Sequence, residues 1–153
     1  MKERAHARSL YITGEGPPAR KLCVENSTMA EPEHSIHGAV NRYLHDAAPG
    51  FRAVADGEWG VVIEDVGGAP LEVGLRLADG LLRAQAWVAP AGVLDPHMLL
   101  HRNRLQTVAR YAHSLTGEVH VHAELPEIAV TPAELNRMLG SLIDAAAVAR
   151  AVA

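Results

Sequence analysis

Apolar side chains recur at two different spacings along this chain, and each change of spacing marks a new element. Over residues 33–47 the spacing is three to four, which predicts a first helix that ends at Pro49-Gly50. Farther on the spacing becomes two, which predicts three β-strands over residues 59–64, 71–78 and 81–88. Asp79-Gly80 joins the last two strands and is typical of a tight hairpin turn. Residues 51–55 are a candidate for a further short strand.

The second half of the chain continues the alternation of helix and strand. Asp95-Pro96 supplies an N-cap and a proline at the first helical position, so a second helix is expected from there to about Gln106. Two more period-two segments follow, near residues 108–114 and 118–125. Thr131-Pro132-Ala133-Glu134 is a capping box that starts a last helix. The order α-βββ-α-ββ-α predicts an α+β, two-layer domain with an antiparallel sheet.

The first 32 residues lack a sustained period and contain glycine-proline loop chemistry. We therefore expect a flexible N-terminal tail over residues 1–32 and one domain over residues 33–153. A second methionine, Met29, stands just ahead of the first helix, and the sequence leaves open whether translation starts there or at Met1.

Charge and composition exclude several classes of function. Residues 1–28 hold five basic and three acidic side chains, whereas the remainder holds nine arginines and fifteen carboxylates. Such an acidic domain gains little from counterion release, so direct binding to DNA or RNA is disfavoured. The single cysteine, Cys23, excludes an intramolecular disulfide, and no apolar run approaches the ~18 residues of a membrane span. We expect a cytoplasmic protein that makes no contact with the membrane.

Three histidines are the only candidates for a metal site. His120 and His122 share one face of the strand predicted over residues 118–125, and His113 lies on the preceding strand across a tight turn. Imidazole is a common ligand of transition metals, so the three side chains are candidate ligands. A polar outer strand face explains the same pattern without a metal. We therefore expect no cofactor, and metal binding through this cluster is an alternative hypothesis.

Catalytic side chains are not arranged in any recognisable pattern. Cys23 lies in the predicted tail, where no fixed base would activate it. The serines lack the context of a nucleophile elbow, and the glycine pairs lack the lysine of a phosphate-binding loop. The sequence therefore predicts a protein that is not an enzyme.

A surface is the remaining candidate for a functional site. A two-layer domain leaves one face of its sheet without helices, and on the strand over residues 81–88 that face would carry Leu81, Arg83, Gln85 and Trp87. Tryptophan and arginine are enriched at protein interfaces. These four residues are the predicted partner-binding or dimer interface.

Several local strings, taken in order, resemble the YbjN family, whose fold is like that of type III secretion chaperones. They are Trp59 at the start of the first long strand, Leu-Leu-His-Arg-Asn at 99–103, Gly-Glu-Val-His-Val at 117–121, Leu-Pro at 125–126 and Thr-Pro-Ala-Glu-Leu at 131–135. The resemblance covers about residues 33–149. It implies a bacterial, homodimeric, non-catalytic module that acts as a chaperone-like or adaptor protein.

The main hypothesis is therefore a homodimer that binds another protein. The first alternative is a small metal-binding protein that uses the strand-face histidines. A weaker alternative is an accessory subunit of a nucleic-acid-handling or stress-response complex, in which the acidic domain would contact a basic partner protein instead of the nucleic acid.

Overall fold

The fold is taken from a computed structural model that describes residues 35–48 and 50–153. The predicted tail over residues 1–32 and the choice between Met1 and Met29 lie outside the described residues. Within the described part, no helix is long and apolar enough to cross a membrane.

Three helices and six strands make up this part of the chain. In chain order they are α1 (Ile36–Ala47), β1 (Arg52–Ala55), β2 (Glu58–Val66), β3 (Ala69–Ala78), β4 (Leu81–Ala89), α2 (Pro96–Asn103), β5 (Arg110–His113), β6 (Val119–Pro126), a short 3-10 turn (Glu127–Ala129) and α3 (Pro132–Arg150). All strand pairs are antiparallel, and the order across the sheet is β1-β2-β3-β4-β6-β5. The predicted α+β class with an antiparallel sheet is confirmed. The candidate segment 51–55 forms β1, which adds one strand to the expected order.

Turn and cap chemistry place the elements where the sequence predicts them. Asp79 and Gly80 both have positive φ angles, 55° and 75°, as a type I′ hairpin turn requires. The Asp95 carboxylate accepts from the His97 N–H at 2.9 Å and caps α2. The Thr131 hydroxyl accepts from the Glu134 N–H at 3.2 Å and caps α3. The capping box is only half formed, because the Glu134 carboxylate accepts from the Arg137 guanidinium at 2.6 Å instead of reaching back.

The second helix is shorter than predicted, since it ends at Asn103 and not near Gln106. Beyond Asn103 the backbone tightens, and the N–H groups of Arg104 and Leu105 bond to carbonyls three residues earlier. The Asn103 side chain turns to the edge strand β5 instead. Its amide donates to the Tyr111 carbonyl at 3.0 Å and its oxygen accepts from the Tyr111 N–H at 2.8 Å.

The core lies between the sheet and the helices. Alternate residues of β4 point toward α3, which packs against them with one apolar stripe. The buried side chains of β4 are Leu82, Ala84, Ala86 and Val88, and those of the α3 stripe include Leu135, Met138, Leu142 and Ala146. Trp59 ties α1 to the same side, because its indole N–H donates to the Asn41 side-chain oxygen at 2.6 Å. Within the described residues, this arrangement leaves the other face of the sheet without a helix.

Candidate protein-binding surface

The face of the sheet turned away from the core is the candidate site, and we call it the outer face. On β4 it carries the four residues singled out from the sequence, Leu81, Arg83, Gln85 and Trp87, which alternate with buried core residues. None of the three described helices covers the Trp87 side chain, and the residue is 44% exposed. The strand alternation predicted for β4 thus places all four side chains on one surface.

Neighbouring strands extend this surface on both sides. In the β4–β6 register Arg83 lies opposite Glu124, Gln85 opposite His122 and Trp87 opposite His120. Residues directly opposite in an antiparallel pair point to the same face. The outer face is therefore a mixed surface of charged, amide, imidazole and indole groups, rather than a continuous apolar sheet.

A like-charged pair lies at the centre of the outer face. Arg76 on β3 is directly opposite Arg83 on β4, an arrangement that is destabilising unless other charges compensate. The compensation comes from the flanks, where Arg76 Nε lies 3.6 Å from a Glu58 carboxylate oxygen and Arg83 Nε lies 2.9 Å from one of Glu124. The four side chains form a row across β2, β3, β4 and β6 with the arginines in the middle.

Beside this row, two glycines leave a gap in the side chains of the outer face. Gly60 on β2 and Gly74 on β3 are directly opposite each other. A methyl group added at Gly74 would meet only the Gln85 carbonyl oxygen, at 4.0 Å, whereas one at Gly60 would meet the flexible Arg52 side chain at 3.0 Å. We call the open space over Gly74 the glycine notch. Neither glycine was singled out from the sequence, although a glycine at an alternating strand position is a recognised sign of close approach by another group.

Among the described residues, His120 is the one polar side chain of the outer face that is buried. Only 8% of the residue is exposed, and its Nδ1 lies 3.1 Å from the amide nitrogen of Gln85. Burial lowers the pKa of His120 from its ordinary value, and the nearby Glu118 carboxylate opposes that shift. The imidazole is therefore held in its neutral form, as a hydrogen-bonding part of the sheet surface.

The three candidate metal ligands do not share a face. His113 lies opposite Val119, whereas His120 lies opposite Ala112. Since Val119 is buried in the core, the register places His113 on the helix side of the sheet and His120 with His122 on the outer side. The alternative hypothesis that the three imidazoles meet is therefore wrong, because His113 and His120 point to opposite faces of the sheet. The pairing of β5 with β6 decides this, and the spacing of the histidines in the sequence does not reveal that pairing. Among the described residues no group of three or more His, Cys, Asp or Glu is placed to hold a metal ion.

Comparison with solved structures supports the fold. The chain is similar to a chain of the HopA1–SchA chaperone–effector complex, with a TM-score of 0.59 at 13% identity over 74% of this chain and 91% of that one. It is similar to a chain of the complex between the Yersinia pestis type III secretion chaperone SycH and a fragment of YscM2. That match has a TM-score of 0.58 at 16% identity over 74% of this chain and 98% of that one. It is also similar to a chain of the ExsC–ExsE complex, with a TM-score of 0.55 at 21% identity over 73% of this chain and 91% of that one.

These likenesses establish a fold like that of type III secretion chaperones. No family model matches the chain, and no curated protein matches it. The resemblance to the YbjN family is therefore not confirmed, whereas the secretion-chaperone-like fold is confirmed.

Proposed function

We propose that this chain is a non-enzymatic, chaperone-like or adaptor protein of the bacterial cytoplasm that binds a partner protein as a homodimer. The observation that carries the proposal is the exposed Trp87 on a sheet face that none of the three described helices covers. Solved structures with the same fold are complexes between proteins, and two of them are named as containing chaperones. Stress response remains one setting in which such an adaptor would act.

The outer face has the composition of a binding surface. Trp87 and Arg83 belong to the residue types that most often anchor protein interfaces, and they lie four residues apart on one strand. A tryptophan that is 44% exposed leaves apolar area in water that a partner would remove. The surrounding charges and amides supply the polar rim that such an interface needs.

Mass and a single substitution test the proposal. Light scattering at micromolar concentration should give about twice the chain mass of 16.4 kDa. Trp87→Ala should weaken dimerisation or partner binding by ~2 kcal/mol or more while the fold stays intact. Leu115→Ala is the matched control, because Leu115 is fully exposed in the turn between β5 and β6. A stable monomer whose partner binding is unchanged by Trp87→Ala would contradict the proposal.

A further inference from the structure

We propose that the arginine pair receives an acidic side chain of the partner, whose backbone crosses the glycine notch beside it. The partner would present an extended segment with one carboxylate between Arg76 and Arg83, its backbone over Gly74 and one apolar side chain against Trp87. This inference rests on the proposed function, since it specifies the chemistry of the partner that the outer face binds.

The arginine pair supplies the charge. Arg76 and Arg83 face each other across two central strands, and each is compensated on one side only, by Glu58 and by Glu124. The four side chains are between 42% and 59% exposed, so these ion pairs contribute little to stability in water. A carboxylate placed between the two guanidinium groups would relieve the repulsion that the flanking glutamates leave in place. It would also accept charge-assisted hydrogen bonds from both arginines.

The glycines supply the space. A glycine in a strand interior weakens the strand, by roughly 0.5–1 kcal/mol relative to alanine, and here two of them are paired on adjacent central strands. Nothing within the described chain fills the position over Gly74. The Arg52 side chain lies over Gly60, where its Nε is 3.0 Å from the place that a Cβ of residue 60 would take. The open position is therefore the one over Gly74, and a partner backbone can approach Gly74 closely.

Strand geometry sets the spacing in the partner. Arg83 and Trp87 lie on the same face of β4, four residues apart, which corresponds to roughly 13 Å at the rise of an antiparallel strand. An extended segment lying along β4 would span this distance with the same number of residues. The expected partner sequence is an Asp or Glu separated by three residues from a large apolar residue, in either direction.

The charges around the notch favour a peptide over a nucleic acid. Glu58, Glu72 and Glu124 lie on the same face as the arginines, as their register positions show. A polyphosphate backbone crossing this face would meet those carboxylates as well as the guanidinium groups, and the chain carries a formal net charge of −4. A single carboxylate between the guanidinium groups of Arg76 and Arg83 brings one negative charge to this face, where a polyphosphate backbone would bring several.

Selection from a random heptapeptide library displayed on phage tests the inference with the full chain. Wild-type protein should enrich peptides with an acidic and an apolar residue at this spacing. A fluorescein-labelled consensus peptide should then bind at least about tenfold more weakly to the double variant Arg76→Glu/Arg83→Glu. The same selection on that variant should enrich Lys or Arg at the acidic position. Arg137→Glu, an exposed arginine of α3 paired with Glu134, is the matched control and should bind as wild type.

A second variant separates space from charge. Gly74→Val fills the notch with a residue that strands prefer, so the melting temperature should rise or hold while the labelled peptide is lost. Unchanged peptide binding by Gly74→Val would overturn the inference. So would binding of a labelled single-stranded oligonucleotide that the double variant abolishes, since that would assign the arginines to phosphate.

The outcomes also distinguish this inference from the proposed function. If selected peptides lack an acidic residue but Trp87→Ala weakens their binding, the outer face binds proteins and the acidic site is wrong. If no peptide is enriched and the protein is a monomer indifferent to Trp87→Ala, both proposals fail together.

Discussion

The two faces of the sheet are built from the same strands, yet they follow different rules. On the inner face, alternate residues of β4 are apolar and buried under α3. On the outer face, the residues between them are an arginine, an amide and an exposed tryptophan, and the adjacent strands contribute opposed arginines and opposed glycines. The inner face is determined by the exclusion of water, whereas the outer face keeps features that cost stability.

This difference supports the proposal that the outer face is the part of the sheet that serves binding. A sheet selected for stability alone would place β-branched residues at the Gly60 and Gly74 positions and would avoid opposed arginines. The inner face contains no such exceptions among its buried β4 and α3 positions. Substitutions on the two faces should therefore differ both in size and in the property they change.

The largest difference in the free energy of unfolding is expected when the same substitution is made at two neighbouring residues of β4, one on each face. Leu82→Asn should lower the free energy of unfolding by about 4 kcal/mol or more, because it removes buried apolar volume and buries an unpaired amide. Leu81→Asn, one residue away on the outer face, should lower it by less than about 1 kcal/mol. Urea denaturation measures both, and Leu142→Asn on α3 should behave like Leu82→Asn. Equal losses at 81 and 82 would mean that the faces are not distinct.

An intermediate effect is expected at the N-terminus of α3, the helix that covers the inner face. Thr131→Ala removes the hydroxyl that accepts from the Glu134 N–H and should cost about 1 kcal/mol in thermal or urea unfolding. Thr131→Ser keeps the acceptor and should be nearly neutral. Since Glu134 contacts Arg137 and not the Thr131 backbone, Glu134→Gln should cost less than Thr131→Ala. The reverse order would show that the full capping box forms in solution.

A smaller effect, on the pH dependence of stability, is expected at His120, a residue of the outer face that is buried like those of the inner face. Burial lowers the pKa of His120 in the folded chain, with Glu118 opposing the shift. The unfolded chain therefore takes up a proton first as the pH falls below about 6.5. The stability that neutral His120 supplies is complete above that pH and is lost toward the lower folded pKa. Wild type should lose more stability than His120→Gln between about pH 7.5 and about pH 5.5, whereas the exposed His97→Gln should follow wild type.

The smallest effect is expected from removing the predicted tail. A chain that starts at Met29 should keep the melting temperature of the full chain, since the pattern of residues 1–28 predicts no element that either face of the sheet needs. Differential scanning calorimetry on both chains measures the difference. A loss of many degrees would mean that the N-terminal residues pack on the domain.

Local patterns predicted much of this fold because they depend on neighbours in the chain. The alternation on β3 and β4, the Asp79-Gly80 turn and the Thr131 cap all have local causes, and each is found where the sequence places it. Their order was sufficient for the α+β class. The placement of Leu81, Arg83, Gln85 and Trp87 on an uncovered face followed from the same alternation.

The features that the sequence did not predict depend on strand register, that is, on which residues of different strands lie opposite each other. The register that turns His113 away from His120 is set by Tyr111, which lies opposite Val121 and is buried. The register that opposes Arg76 to Arg83 and Gly60 to Gly74 is likewise not contained in any single strand. The arginine pair and the glycine pair at the centre of the candidate site therefore depend on the pairing of the strands and could not be predicted from any one of them.

The side chain of Asn103 gives the sheet two unequal ends. It occupies both backbone groups of Tyr111 on β5, whereas β1, at the opposite end, is paired only with β2 in the described part of the chain. Asn103 thus obstructs strand addition at Tyr111, and among the described strands β1 carries no such side-chain contact on its backbone. Two copies joined through their β1 strands would form one continuous sheet with an Asn103 side chain on the edge strand at each end, which would oppose growth into a fibre.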